Sequence, residues 1–117
     1  MEPMIKIYLD DIRPAPPGWI RAYWPEEVIA HLESGNVETI SLDHDLGDDQ
    51  RGTGYDVLIW IEEKVVLEDY RPPEIVIHSD NGPARQRMIL AVKAILQRLN
   101  SKHPDNPLPW QSKYYVY

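Results

Sequence analysis

The sequence predicts an α/β fold with a mostly parallel sheet of four or five strands and its polar strand ends gathered along one edge. Three observations point there. Short runs rich in β-branched residues alternate with stretches of helical periodicity, and parallel neighbours need such crossover connections. Three of the strand-like runs end in polar clusters: Asp10-Asp11, Asp43-His44-Asp45 and His78-Ser79-Asp80-Asn81. A length of 117 residues fits a single domain, 1–117, whose core suffices without staples.

The elements follow in order. Residues 4–9 read as a strand, β-branched and aromatic, stopped by Asp10-Asp11. The segment Pro14-Ala15-Pro16-Pro17-Gly18 cannot be a helix interior. Trp19 to Trp24 reads as a short second strand. Pro25-Glu26-Glu27 is a helix start, with proline in the first turn and acids at the positive end of the dipole. Val28, Ile29 and Leu32 form its apolar stripe, and Ser34-Gly35-Asn36 stops it. Val37 to Leu42 is the next strand.

Gly47 to Gly54 contains G-x-G but no P-loop lysine and no dinucleotide fingerprint, so it reads as a mobile loop beside the strand ends. Tyr55 to Val66 is a helix with Tyr55, Leu58, Ile59, Ile61 and Val65 near helical spacing. Arg71-Pro72-Pro73 breaks the chain before the strand Glu74 to Ile77. A long helix from about Ala84 to Leu99 follows, its face built from Met88, Ala91, Val92, Ile95, Leu96 and Leu99. Residues 101–117 form a Pro/Tyr-rich tail, and Tyr114 to Tyr117 reads as an edge strand or a flap.

Composition narrows the function. No cysteine is present, which excludes disulfides and thiolate metal sites and fits a cytoplasmic protein. No stretch reaches the roughly 20 apolar residues of a membrane helix, and no signal peptide is evident. A net charge of −7 argues against bulk binding of nucleic acid through its backbone. It leaves room for a small phosphate-bearing ligand, because a metal ion or a few arginines can invert the field within one acidic site.

Asp10, Asp11, Asp43 and Asp45 are the leading candidates for chemistry. Carboxylates converging on one sheet edge repel each other unless a cation neutralises them, and oxygen ligands favour Mg²⁺ or Mn²⁺. Taken singly, each could instead cap a helix or satisfy loop amides. His44 and His78 end strands and suit general acid/base work or metal ligation; His31 and His103 are read as structural. Ser79 and Asn81 precede the long helix, where capping and anion binding are both open. Arg85, in that helix's first turns, opposes the dipole and makes sense against a phosphate or the acidic cluster. Arg13, just after Asp11, has the same two readings. Tyr114, Tyr115 and Tyr117 could stack on a base, although packing explains them as well.

Asp10-Asp11 after the first strand, Asp43 after a later one and Ser79 after the next resemble receiver domains of two-component signalling. That family's lysine at the end of the last strand has no counterpart here, since Lys102 and Lys113 lie in the wrong kind of segment. A helix between the first two strands is also missing. The fuller pattern of Leu9-Asp10-Asp11-Ile12-Arg13, Ser41-Leu42-Asp43-His44-Asp45-Leu46-Gly47, Thr53-Gly54-Tyr55-Asp56 and Ile77-His78-Ser79-Asp80-Asn81 is similar to the cyclic-phosphate-processing receiver-like domain of phage and bacterial proteins. The resemblance covers roughly residues 4–99. It implies a receiver-like (flavodoxin-like) three-layer sandwich and action on a cyclic phosphate, in RNA repair or phage–host conflict.

The resulting expectation is a metal-dependent phosphoesterase. Asp10, Asp11, Asp43 and Asp45 hold Mg²⁺ or Mn²⁺. His44 and His78 exchange protons, Asp43 is a further candidate nucleophile, and Arg13, Ser79, Asn81 and Arg85 bind the substrate. The substrate would be a 2′,3′-cyclic phosphate RNA end or a cyclic nucleotide. Two alternatives stand beside it: a signalling module phosphorylated on Asp43, and a protein that sequesters a nucleotide without turnover.

Overall fold

The computed structural model describes residues 3–108. The elements run β1 (Ile5–Leu9), β2 (Ile20–Ala22), α1 (Pro25–Ser34), β3 (Val37–Leu42), α2 (Gly54–Leu67), β4 (Glu74–Ile77) and α3 (Gly82–Lys102). The four strands form one all-parallel sheet in the order β2-β1-β3-β4. This is the α/β fold with a parallel sheet that the alternating pattern predicts, and it is consistent with the receiver-like fold that the resemblance implies. Element ends differ from the sequence reading by a few residues, and α3 continues to Lys102, into the stretch read as tail. The Tyr114 to Tyr117 segment lies outside the described residues.

Period-two alternation gives the sheet two unlike faces. Ile7 and Leu9 of β1, Ile40 and Leu42 of β3, and Ile75 and Ile77 of β4 lie in register and are almost completely buried. They join Val28 and Leu32 of α1, Leu58, Ile61 and Val65 of α2, and Met88, Val92 and Ile95 of α3 in one core. α2 packs against both α1 and α3. The three described helices therefore share one face of the sheet.

The other face carries Lys6, Tyr8, Arg21, Glu74 and Val76, all exposed or half-buried, around Thr39 and Ser41 of the central β3, which are buried. Coverage of both faces by helices, the three-layer arrangement expected from sequence, is not seen among the described residues. The cause is local. β1 passes to its parallel neighbour β2 through a proline-rich loop rather than a helix. Trp19, at the end of that loop, packs edge-on against Tyr8 with ring centroids 6.1 Å apart.

Helix ends follow the side chains present. Thr53 and Asp56 form a capping box at the start of α2: the Asp56 carboxylate accepts from the Thr53 amide (2.8 Å) and the Thr53 hydroxyl from the Tyr55 amide (3.2 Å). Asn81 caps α3 by accepting from the Ala84 amide (3.2 Å). The Lys102 ammonium donates to the carbonyls of Val65 and Glu68, closing the end of α2. Ile59, grouped from its spacing with the apolar face of α2, is instead 49% exposed. It sits one position beyond Leu58, off the stripe formed by Val57, Leu58, Ile61 and Val65.

Gly54 anchors α2 to the sheet. Its amide donates to the His44 carbonyl (3.1 Å), and a Cβ on it would come within 1.8 Å of the Asp43 carbonyl oxygen. Gly52 and Gly54 are both buried, so this end of the loop is pinned rather than mobile. Gly54→Ala should destabilise the protein by about 3 kcal/mol, the upper part of the range for overpacking. Gly82→Ala, where an added Cβ meets nothing within 4 Å, should be neutral or mildly stabilising. Urea denaturation midpoints check both, and equal midpoints for the two variants would contradict this packing.

Candidate functional site

The sheet register builds the site. Leu9, Leu42 and Ile77 are aligned across β1, β3 and β4. The ladder continues one step beyond them: the Asp10 amide donates to the Ala22 carbonyl, the Asp43 amide to Leu9 and the His78 amide to Leu42. Asp10, Asp43 and His78 thus stand in one row at the carboxyl edge, where open α/β sheets bind ligands. One donor atom from each falls within 4.8 Å of the others. This set of two carboxylates and an imidazole fits a divalent cation of mixed oxygen and nitrogen preference.

Asp10 is the most constrained member. It is 1% exposed. One of its oxygens accepts from the amides of Ile12 and Arg13, each at 2.8 Å. The other faces His78 Nε2 at 3.1 Å. Burial alone would raise its pKa. The two amides and the imidazole outweigh burial and hold it below the usual carboxylate value.

Asp43 has weaker support, a single amide bond from His44 (2.8 Å). Its pKa is pushed up to about 6, first by burial and then by the charge of Asp10. Burial also lowers the pKa of His78, against the pull of Asp10. Both directions come first from one fact, that the edge is short of water.

The row opens into a cleft of about 370 Å³ lined by Asp10, Asp11, Ile12, Arg13, Asp43, Asp45, Gly47, Asp80 and Asn81. Gly47 has φ 95° and lies against Asp11, whose carboxylate would be 3.5 Å from a Cβ there. Arg13 donates to the His78 carbonyl (3.1 Å) and pairs with the exposed Asp80. An exposed pair of this kind is weak, so the guanidinium can exchange partners.

The structure brings Asp10, Asp11, Arg13, Asp43, Asp45 and Asn81 together at the cleft. Ser79, Arg85, His44 and His78 do not line it. Ser79 is buried and accepts from the Asn81 amide (3.1 Å). Arg85 lies in the first turns of α3. Each imidazole is bonded to a carboxylate that does line the cleft. His44 Nδ1 is 2.7 Å from Asp45, which Asn81 also contacts at 3.2 Å, and this pairing with His44 is the main reason the pKa of Asp45 is lowered. His78 lies behind Asp10.

Three residues absent from the sequence-derived site complete the arrangement: Tyr8 and Ser41 around His78, and Asp80 on Arg13. Period-two spacing was the available signal, since Tyr8 and Asp10, Ser41 and Asp43, and Val76 and His78 each share a face. Among the described residues no helix is long and apolar enough to cross a membrane.

The sequence model of the family described as Cyclic-phosphate processing Receiver domain matches residues 5–94, from β1 into α3. No curated protein matches the chain.

The raised pKa of Asp43 gives a signed prediction. Its ionised form is disfavoured in the fold, so the penalty is absent below the ordinary carboxyl value of 3.8 and complete above about 6. In chelator, Asp43→Asn should exceed wild type in stability at neutral pH by on the order of 2 kcal/mol. The gap should close as the pH falls through that window. Denaturant unfolding across pH measures it; a variant less stable than wild type at neutral pH would contradict the assignment.

Proposed function

The chain belongs to the cyclic-phosphate processing receiver family, and from that premise and the cleft we propose that it is a metal-dependent phosphoesterase acting on a cyclic phosphate. The observation that carries the reading is the adjacency of two complementary groups. Donor atoms of Asp10, Asp43 and His78 lie within 4.8 Å of one another, and Arg13 lines the same cleft. One part suits a cation and the other a phosphate oxygen.

Asp10 and Asp43, with Asp11 and Asp45 at the same cleft, would hold Mg²⁺ or Mn²⁺. A divalent cation there would offset phosphate charge and make water a better nucleophile. Arg13 would leave Asp80 for the equatorial phosphate oxygens, and the Asn81 side-chain amide, which donates to Asp45, would help orient them. Ser79 supports Asn81 from behind. Arg85 remains a candidate for a substrate that extends past the cleft towards α3.

Hydrolysis of a 2′,3′-cyclic phosphate forms one bond from a water oxygen to phosphorus and breaks one from phosphorus to a ribose oxygen. A base must take the water proton and an acid must return one to the departing oxygen. The His44–Asp45 pair would take the water proton and return one to the departing oxygen, reaching the cleft through its carboxylate, while His78 would join Asp10 and Asp43 on the cation. Asp43 as a transient nucleophile is a variant of the same scheme.

A signalling module phosphorylated on Asp43 is the second reading, favoured by the half-buried strand-end position of that carboxylate. Among the described residues no lysine lines the cleft, and Lys102 is committed to carbonyls at the end of α2; Lys113 lies outside the described residues. Sequestration without turnover is the third.

A panel of 2′,3′-cyclic phosphate RNA ends and cyclic nucleotides, incubated with Mg²⁺ or Mn²⁺, separates them. Wild type should release a monoester, with Asp43→Asn and His78→Ala slower by about 100-fold or more. Tight binding with the ligand returned unchanged would establish sequestration instead. Acetyl-phosphate labelling lost in Asp43→Asn, without turnover, would establish the signalling role.

A further inference from the structure

A buried chain of hydrogen bonds runs behind the cleft. Ser41 Oγ lies 2.7 Å from His78 Nδ1, and His78 Nε2 lies 3.1 Å from Asp10. Ser41 is 5% exposed and Asp10 1%. The Tyr8 ring stacks on the imidazole at 4.4 Å and 3° and fixes its plane. Register explains the assembly, because Tyr8 and Val76 both flank Ser41 and His78 follows Val76 by two residues on the same face. The order Ser-His-Asp is that of a nucleophilic triad, but burial of Ser41 outside the cleft lining removes it as a nucleophile. The hydroxyl serves the imidazole.

The hydrogens in this chain follow from its ends. Asp10 already accepts two amides through its other oxygen, so it also accepts from Nε2–H. Nδ1 is then bare and accepts the Ser41 hydroxyl hydrogen. A cation held among Asp10, Asp43 and His78 would need the reverse, because a ligating nitrogen carries no hydrogen. Nδ1 would then carry the hydrogen and need an acceptor. A hydroxyl can donate in the first state and accept in the second.

We infer that Ser41 is a positioning residue for the cation site, its hydroxyl allowing His78 to present Nε2–H to Asp10 in the metal-free protein and a bare Nε2 to a bound cation. This rests on the reading of the cleft as a cation site. Behind-the-ligand partners of metal-binding imidazoles act in this way. A purely structural serine would instead stabilise the sheet without affecting which nitrogen carries the hydrogen.

Nitrogen-15 NMR of the histidines and calorimetric titration with Zn²⁺, a diamagnetic probe, test the inference without any turnover. Metal-free wild type should show His78 protonated at Nε2, and the zinc-loaded protein should show it protonated at Nδ1. Ser41→Ala should bind Zn²⁺ about 10-fold or more weakly; Ser41→Thr, which keeps a hydroxyl, should recover most of the loss. Unchanged protonation of His78 in zinc-loaded wild type would overturn the inference, even if Ser41→Ala proved too unstable to study. Equal affinity for wild type and Ser41→Ala would overturn it while leaving the cation site standing. Failure of wild type to bind would overturn both.

Discussion

The structure depends on the register of three parallel strands. Leu9, Leu42 and Ile77 are held level by core packing against the helices. A slip of one residue in any strand would turn its apolar side chains away from that core. The same constraint levels the next residue of each strand. The register therefore brings Asp10, Asp43 and His78 level, and the His78–Asp10 hydrogen bond is made between groups already placed side by side. Burial of isoleucine and leucine below the row drives the fold, and the polar row is carried along by the pleat.

That placement leaves a conflict which the fold only half resolves. Two carboxylates at a partly dry edge cannot both be comfortable as anions. Asp10 escapes through two amides and an imidazole. Asp43 has one amide, and its pKa rises to about 6. Either a proton or a cation relieves it; Arg13, engaged with the His78 carbonyl and Asp80, offsets only part of the rise. Gly54 presses the start of α2 onto the Asp43 carbonyl, so the strand end has little freedom to move away. The cleft thus sets the carboxylates of Asp10, Asp11, Asp43, Asp45 and Asp80 against the guanidinium of Arg13, the balance on which the proposed binding of a metal ion with a phosphate rests.

Much of this was legible in the sequence because it is local. Runs such as Ile5 to Leu9 and Glu74 to Ile77 announce strands through β-branched residues. Pro25-Glu26-Glu27 announces a helix start, and the acids and histidines stand out at the strand ends. Other features were hidden because they arise between segments distant in sequence. Gly54 looks like a loop glycine until the Asp43 carbonyl is beside it. Ser41 and Tyr8 look like ordinary strand residues until β4 brings His78 between them. Arg13 could be placed near the site, but its partner Asp80 could not. Among the described residues no helix covers the second face of the sheet, which follows from the short β1–β2 loop, whose prolines were visible although their consequence for the layering was not. His44 and His78 were correctly located at strand ends, while their positions behind Asp45 and Asp10 needed the three-dimensional structure.

The central claim is that one cation site is built by the levelled ends of β1, β3 and β4. Paramagnetic line broadening by substoichiometric Mn²⁺ tests it most directly. The account predicts that the amides of Asp10 to Arg13, Asp43 to Asp45 and His78 to Asn81 broaden first and together, and that Asp43→Asn weakens the effect. Broadening that begins elsewhere, for example at the acidic surface of α2 around Glu62 and Glu63, with the three strand ends left sharp, would contradict it.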